Sequence, residues 1–467
     1  MATPLFPPLV LPFAGALAVI AAFGNDHALA IAAIAVLLAG SALLWRPGEP
    51  AVLLYVFAFQ WLQVSIGIFY ASLQGIDLMD FLWRISPTVQ LSTALSLVAL
   101  ACLATGIAAG AGPKRPGLSE HVRQTLARQP AMYWFKLYLA VRLVAAAAEM
   151  VAYLVPGLSQ LFLAIASFKW AAFTIFTIAT FATTNGSKRL WLSCFGLELV
   201  LSIGGYFSSY KDVCIYTLIS LAAVGVRTTF TRAMIGGSVV ALLLAMTVVW
   251  TAIKPDYRNF VSGGLQAQVV TVGLQQRWDK LNDLISQLDS AKIDQAVLQT
   301  VQRLSYVEFL AAVLDHVPDA VPHQHGSLWL DAITRPFMPR LFFPEKPVLD
   351  DSELTRTYTG LAISGSEVGT SISIGYVGES YIDFGVFGMM LPIFMLGYAM
   401  GRLYRWLAFQ SKPGSLLGMS LAAPCMMTVS TFEIALAKTI GGFIVSALVA
   451  LLIVIVILPR VQRWLPV

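Results

Sequence analysis

Gly369-Thr370-Ser371-Ile372-Ser373-Ile374-Gly375-Tyr376-Val377-Gly378-Glu379-Ser380-Tyr381-Ile382-Asp383-Phe384-Gly385 runs from glycine- and serine-rich polar chain straight into an apolar helix. It closes a polar interruption, 254–383, that separates a membrane-spanning front from a membrane-spanning tail. Upstream in the same interruption stands Pro339-Arg340-Leu341-Phe342-Phe343-Pro344-Glu345-Lys346-Pro347. Outside it the chain is oily: 58% of its 467 residues are hydrophobic and 12% charged, where a soluble domain carries about 25% charged residues. The composition therefore predicts an all-α polytopic integral membrane protein.

Apolar runs of about 20 residues can be placed at about twelve positions, from near 7–23 to near 439–458. They divide the chain into an N-terminal bundle of about nine spans (1–252), a large, partly helical outer loop (253–383) and about three C-terminal spans (384–467). Alternate connections are basic: Arg46; Lys114, Arg115, Arg123 and Arg128; Lys188 and Arg189; Arg227 and Arg232; Arg402, Arg405 and Lys412; Arg460 and Arg463. Basic connections stay on the cytoplasmic side, which predicts cytoplasmic termini and a periplasmic 254–383 segment in a bacterial inner (cytoplasmic) membrane. No Lys or Arg precedes Arg46, so the first helix reads as retained rather than as a cleaved signal. All four cysteines lie in apolar spans and predict no disulfide. The 111–130 linker has no room for a catalytic domain, and no Gly-rich loop ending in Gly-Lys-Ser/Thr occurs, which excludes the usual nucleotide-hydrolysing classes.

Within the large segment, Trp278, Leu281, Ile285 and Leu288 recur at helical spacing and predict an amphipathic helix, lying on the leaflet or packed on the bundle. A second helix is expected over about 296–315, stopped by Pro318, and an irregular loop over 317–378. Charges inside spans cost about 2.5–3.5 kcal/mol each and face a bundle interior. Arg142 and Glu149 share a face of the fifth span, Lys169 lies in the sixth and Glu198 in the seventh. They either line a cavity or pair internally, for example Arg142 with Glu149 and Lys169 with Glu198.

With one large late loop carrying Pro-Arg-aromatic-Pro-Glu-Lys-Pro and then Gly-Glu-Ser-Tyr-Ile-Asp-Phe-Gly, the chain resembles the Wzy-type O-antigen and exopolysaccharide repeat-unit polymerases. Ser208-Ser209-Tyr210-Lys211-Asp212 resembles that family's polar stretch opening a mid-chain helix. The other outward connections are short, whereas many such polymerases carry a second sizeable loop. The resemblance implies glycosyl transfer outside the cytoplasm. A growing polysaccharide on undecaprenyl diphosphate is moved onto the next carrier-linked oligosaccharide, with the diphosphate as leaving group and neither nucleotide, metal nor other cofactor required. Implied partners are those lipid-linked glycans, membrane lipids and a chain-length regulator; nucleic acid is not among them.

That reaction needs cations for the departing diphosphate, and Arg335, Arg340 and Lys346 stand close together in a segment stiffened by four prolines. Arg303 and Lys211 are further cations that could reach the anion, and Arg142 and Glu149 could bias a cavity below the loop. A carboxylate must take the acceptor hydroxyl's proton; Glu379 is the preferred base, with Asp383 and Glu367 as candidates. Asp383 is open equally to helix capping. Tyr376 and Tyr381 could stack on or bond a sugar. His323-Gln324-His325 invites a metal only weakly, without Cys or a second complete ligand set nearby. Two other readings stay open: a ligase-like transferase with the same leaving group, and a transporter or flippase for lipid-linked saccharide.

Overall fold

In lipid every backbone N–H and C=O must be satisfied within its own segment, so long apolar runs fold as helices. The computed structural model describes all residues except 1–4, 82–85, 116, 117, 119, 203–209, 226–229, 265–270, 366–369, 412–414 and 462–467. Among the described residues there is no strand. Six helices are long and apolar enough to cross a bilayer: α2 (His27–Leu44), α3 (Val52–Gln74), α4 (Val89–Ala111), α5 (Ala131–Leu154), α6 (Ser159–Ala182) and α18 (Leu436–Arg460). A seventh span exists if α15 (Tyr376–Gly388) and the helix that continues it, Met390–Gln410, are one broken span; they meet at 116°. The non-helical Gly385, at φ 67°, lies at the end of the first piece.

The remaining expected spans are shorter or differently bounded. They fall on α1 (Val10–Ala21), α7 (Lys188–Ser202), α8 (Tyr210–Val224), α9 (Phe230–Val261) and α17 (Ser415–Met427). Apolar windows counted residues that the fold spends on turns and breaks. In the polar segment, α10 (Leu274–Ser286) is the amphipathic helix, and its Leu284 is buried against Ile253 and Tyr257 of α9. The single helix expected near 296–315 is two, α11 (Ser290–Leu304) and α12 (Val307–His316), because the turn between them reaches into the bundle: Tyr306 N–H donates to Gln63 O of α3. The expected irregular loop contains α13 (Ser327–Thr334) and α14 (Asp351–Thr359).

The tightest crossing joins α4 to α16 (Met390–Arg405), the first part of the bent continuation. Gly106 and Gly110 face Gly397 and Gly401, and a Cβ on any of the four would collide with the opposing backbone, Gly106 with Phe394 O and Gly401 with Ile107 O. Small residues four apart let two helices approach this closely where no hydrophobic force presses them together. The two ends of α4 differ chemically. Beyond its C-terminus Arg46 donates to Gly112 O at 2.6 Å and Lys114 to Ala42 O at 2.6 Å, with Arg115 over the Phe409 ring. At its N-terminus Ser86 and Thr88 donate to Asp315 of α12. The polar segment thus covers the end opposite these basic turns.

Candidate functional site

Between α17 and α18 the backbone leaves the helix at 428–435 while still inside the bundle. Each N–H and C=O so released costs several kcal/mol in an apolar setting unless it is bonded, and α3 supplies the partners. Gln60, fully buried, donates from Nε2 to Val429 O (2.6 Å) and accepts the Tyr376 hydroxyl at Oε1 (2.7 Å). Gln63 accepts Phe432 N–H at Oε1 (2.7 Å) and donates to Glu433 Oε2 (3.4 Å). Tyr376 N–H donates to Ile434 O (3.1 Å). Gly375, at φ 91°, lets that strandless backbone pass where a Cβ would press on Phe432 O at 2.6 Å. Gln63 is equidistant from the ends of α3, about 16 Å from each at 1.5 Å per residue. The break therefore lies level with the middle of α3.

The same level is reached from the polar segment. Tyr306, in the α11–α12 turn, donates its hydroxyl to Ser373 O, and the Ser373 hydroxyl donates to Glu433 O. Gly67 of α3 makes room for the turn, since a Cβ there would lie 2.6 Å from Ser305 Oγ. Three helices bring cations to this level: Lys211 at the start of α8, Lys254 and Arg258 one turn apart on α9, and Arg303 in the last turn of α11. Thr300 of α11 donates to Thr251 of α9 (3.1 Å), fixing the two helices in register. Lys254 stands beside Arg303, Arg258 and Lys211. Glu433 lies within electrostatic reach of Arg303 and Lys211. Among the described residues no carboxylate lies within ion-pair distance of Lys211, Lys254 or Arg303. Lys211 and Arg303 are exposed despite their depth, so the cations line an open cleft. Such a cleft can hold a multiply charged anion beside a half-buried carboxylate.

The structure disperses the residues singled out from the sequence. Lys211 and Arg303 stand in this cleft. Glu379, 3% exposed, accepts Leu436 N–H (3.0 Å), the first amide of α18, where a carboxylate meets an orphan donor and the positive end of the helix. Asp383 does the same for α13, accepting Leu328 N–H (3.2 Å) and Trp329 N–H (2.9 Å). Tyr376 is spent on Gln60, and Tyr381 donates to Val317 O (2.9 Å) with its ring against His323. Arg335, Arg340 and Lys346 do come together, but around their own backbone. Arg335 forks onto Asp331 and donates to Pro347 O, Arg340 donates to Pro347 O, and Lys346 donates to Arg335 O and Met338 O. Arg142 and Glu149 belong to a closed network: Glu198, wholly buried, takes Lys169 Nζ (2.7 Å), Arg142 Nε (3.1 Å) and the Tyr138 hydroxyl, while Arg142 also meets Glu149 (3.6 Å). Glu367 lies outside the described residues.

Glu433, Gln60, Gln63, Lys254 and Arg258 were missed. Gln60 and Gln63 carried a signal, two amides three residues apart inside an apolar span. Glu433 was hidden at the edge between two spans, where a charge is cheap. Beyond the break, a cavity of about 630 Å³ is lined by Gln160, Asp212, Arg335, Leu349, Thr428 and Lys438, among others.

The family described as Domain of unknown function (DUF8712) has a model that matches residues 85–463, and the chain belongs to that family. No curated protein and no solved structure matches it.

Proposed function

We propose that this member of the DUF8712 family is a membrane glycosyltransferase that joins oligosaccharide repeats carried on a polyprenyl diphosphate, using the cleft at the 428–435 break. The observation that carries the reading is the group of cations not held in ion pairs, Lys211 and Arg303 within reach of Glu433 and Lys254 beside those two. In the reaction the acceptor hydroxyl attacks the anomeric carbon, its proton passes to the Glu433 carboxylate, and the bond to the diphosphate oxygen breaks. Negative charge grows on the diphosphate as it leaves, where preorganised cations in a poorly hydrated cleft act most strongly. Glu433 replaces Glu379 as the preferred base, because the Glu379 carboxylate is already bonded at the α18 terminus. Arg335, Arg340 and Lys346 become framework.

The same reading takes all twelve apolar stretches as spanning or re-entrant elements of a bacterial inner membrane protein. Its basic turns around Arg46 and Lys114 lie in the cytoplasm and the 254–383 segment in the periplasm. A second reading, a transporter of lipid-linked saccharide, is favoured by one observation: helices broken inside the bundle, at 428–435 and near Gly385, as in secondary transporters.

One experiment separates them. Purified protein is given synthetic undecaprenyl-diphosphate-linked repeat units, and wild type is compared with Arg303→Ala, Glu433→Gln and Arg340→Ala. A ladder of longer lipid-linked glycans from wild type and Arg340→Ala, lost in the other two, supports the polymerase. Absence of a ladder while labelled units cross proteoliposomes overturns it for the transporter.

A further inference from the structure

Residues 337–349 form two successive turns, with Phe342 N–H and Phe343 N–H on Pro339 O and Lys346 N–H on Phe343 O. Arg335 and Lys346 turn inward onto carbonyls of the same segment and the exposed Arg340 donates to Pro347 O, so that apart from Arg340 and Glu345 the exposed side chains of the segment are apolar. Phe337, Leu341, Phe342, Phe343, Val348 and Leu349 are all exposed, Phe342 by 71% and Val348 by 75%. A soluble surface rarely carries so continuous an apolar patch. Prolines 336, 339, 344 and 347 hold the turns stiff, so the patch is built rather than incidental.

Its position says what covers it. A Cβ on Gly157, between α5 and α6, would lie 3.2 Å from Leu341 N, and Pro336 Cγ stands 3.6 Å from the Cβ position of Gly441 on α18. The segment thus sits against the turn between α5 and α6, and Pro336, which leads into it, against α18, at the end of the bundle covered by the polar segment. The exposed apolar side chains at the adjacent end of α5, Met150, Tyr153 and Leu154, continue onto it. Pro336 and Leu349 also join the wall of the 630 Å³ cavity, whose other walls include the apolar Leu163, Trp170, Met427 and Val445 beside the polar Gln160 and Lys438.

We propose that 337–349 is a membrane-inserted wedge: its apolar face lies in the acyl–headgroup boundary of the leaflet on that side, continuous with the lipid-facing surface of α5, and forms the rim of the cavity. The occupant of the patch is phospholipid, not protein. The wedge is independent of the chemistry assigned to the cleft, since it requires only that α5, α6 and α18 span a bilayer.

The test uses the full chain in nanodiscs. Phe342→Cys and Val348→Cys are separately labelled with an environment-sensitive NBD dye, with Glu353→Cys as an aqueous reference on α14 and the unsubstituted chain as the labelling background for its four native cysteines. Insertion about 5–10 Å below the headgroup plane predicts blue-shifted emission at both wedge positions, strong quenching by lipids brominated near the top of the acyl chain and several-fold less quenching by aqueous iodide than at Glu353. Iodide quenching at Phe342 and Val348 equal to that at Glu353 overturns the proposal. So does protection from both quenchers that persists in a monodisperse detergent dimer, which would make the occupant a second copy. If one substitution fails to fold, as judged by size exclusion, the other carries the same readout.

Discussion

Lys254 offers a test that follows from where it sits. It stands beside Arg303, Arg258 and Lys211, and among the described residues no carboxylate lies within ion-pair distance of it. In the proposed reaction its charge is therefore available to the diphosphate. A hydrogen bond to a charged group contributes about 1.5–3 kcal/mol, so Lys254→Met is expected to lower kcat/KM by about 10–150-fold. Lys254→Arg keeps a cation and is expected to retain most of the rate. Arg303→Gln removes a neighbouring cation and should lower the rate by a similar factor. The assay is the initial rate of lipid-linked chain extension at low substrate. A Lys254→Met rate equal to wild type, or a Lys254→Arg rate as low as that of Lys254→Met, would refute the reasoning. Either result would mean that the lysine is not part of the anion site.

The carboxylates should separate cleanly. Glu433→Gln is expected to cost about 10²–10⁴ in kcat without lowering the melting temperature, while Glu379→Gln keeps an acceptor for Leu436 N–H and retains most of its turnover; thermal scans run beside the extension assay check both. Glu198→Gln leaves Arg142 and Lys169 buried without their shared partner, a loss of about 3–5 kcal/mol, read as a lower melting temperature in the same detergent, and Glu149→Gln, at the exposed edge of the network, should cost far less. Gly401→Ala drives a methyl into Ile107 O and should destabilise by about 1–3 kcal/mol. Gly15→Ala, with open space around the site, should be near neutral in the same thermal measurement.

Composition and periodicity were enough to make the helical membrane architecture legible, because backbone satisfaction in lipid leaves almost no other solution. The amphipathic helix at 274–286 was legible for the same kind of reason, a 3.6-residue rhythm in Trp278, Leu281 and Ile285. Pairing of Arg142, Lys169, Glu149 and Glu198 was also on the page as one of two readings, since charges that expensive must find partners. What could not be read was depth. Nothing local in Ser305-Tyr306 says that a polar-segment turn descends to the middle of α3, because the cause is a contact with Gln63 some 240 residues away in sequence. Nor does Pro-Arg-Leu-Phe-Phe-Pro-Glu-Lys-Pro reveal whether its cations face out toward a ligand or in toward carbonyls. Composition is identical in the two cases, and only the path of the turns decides it.

The sorting of catalytic from structural charge in this fold rests on hydrogen-bond saturation more than on residue type. Buried polar groups are retained only where bonded, so a carboxylate whose oxygens already serve the folded backbone is poorly placed to accept a substrate proton. Glu379 holds the first amide of α18, Asp383 holds two amides of α13, and Glu198 holds two cations and a phenol. Each is fully explained by the helix end or network it serves. Glu433 is different: its carboxylate receives one long bond, 3.4 Å from Gln63, and it lies within electrostatic reach of Arg303 and Lys211 without pairing to either. The backbone around it is fixed through Phe432 N–H and through its own carbonyl, bonded by Gln63 and Ser373. The side chain is thus held in place by backbone bonds that leave its carboxylate with one long contact, whereas Glu379, Asp383 and Glu198 each hold a shorter one, of 3.0, 2.9 and 2.7 Å.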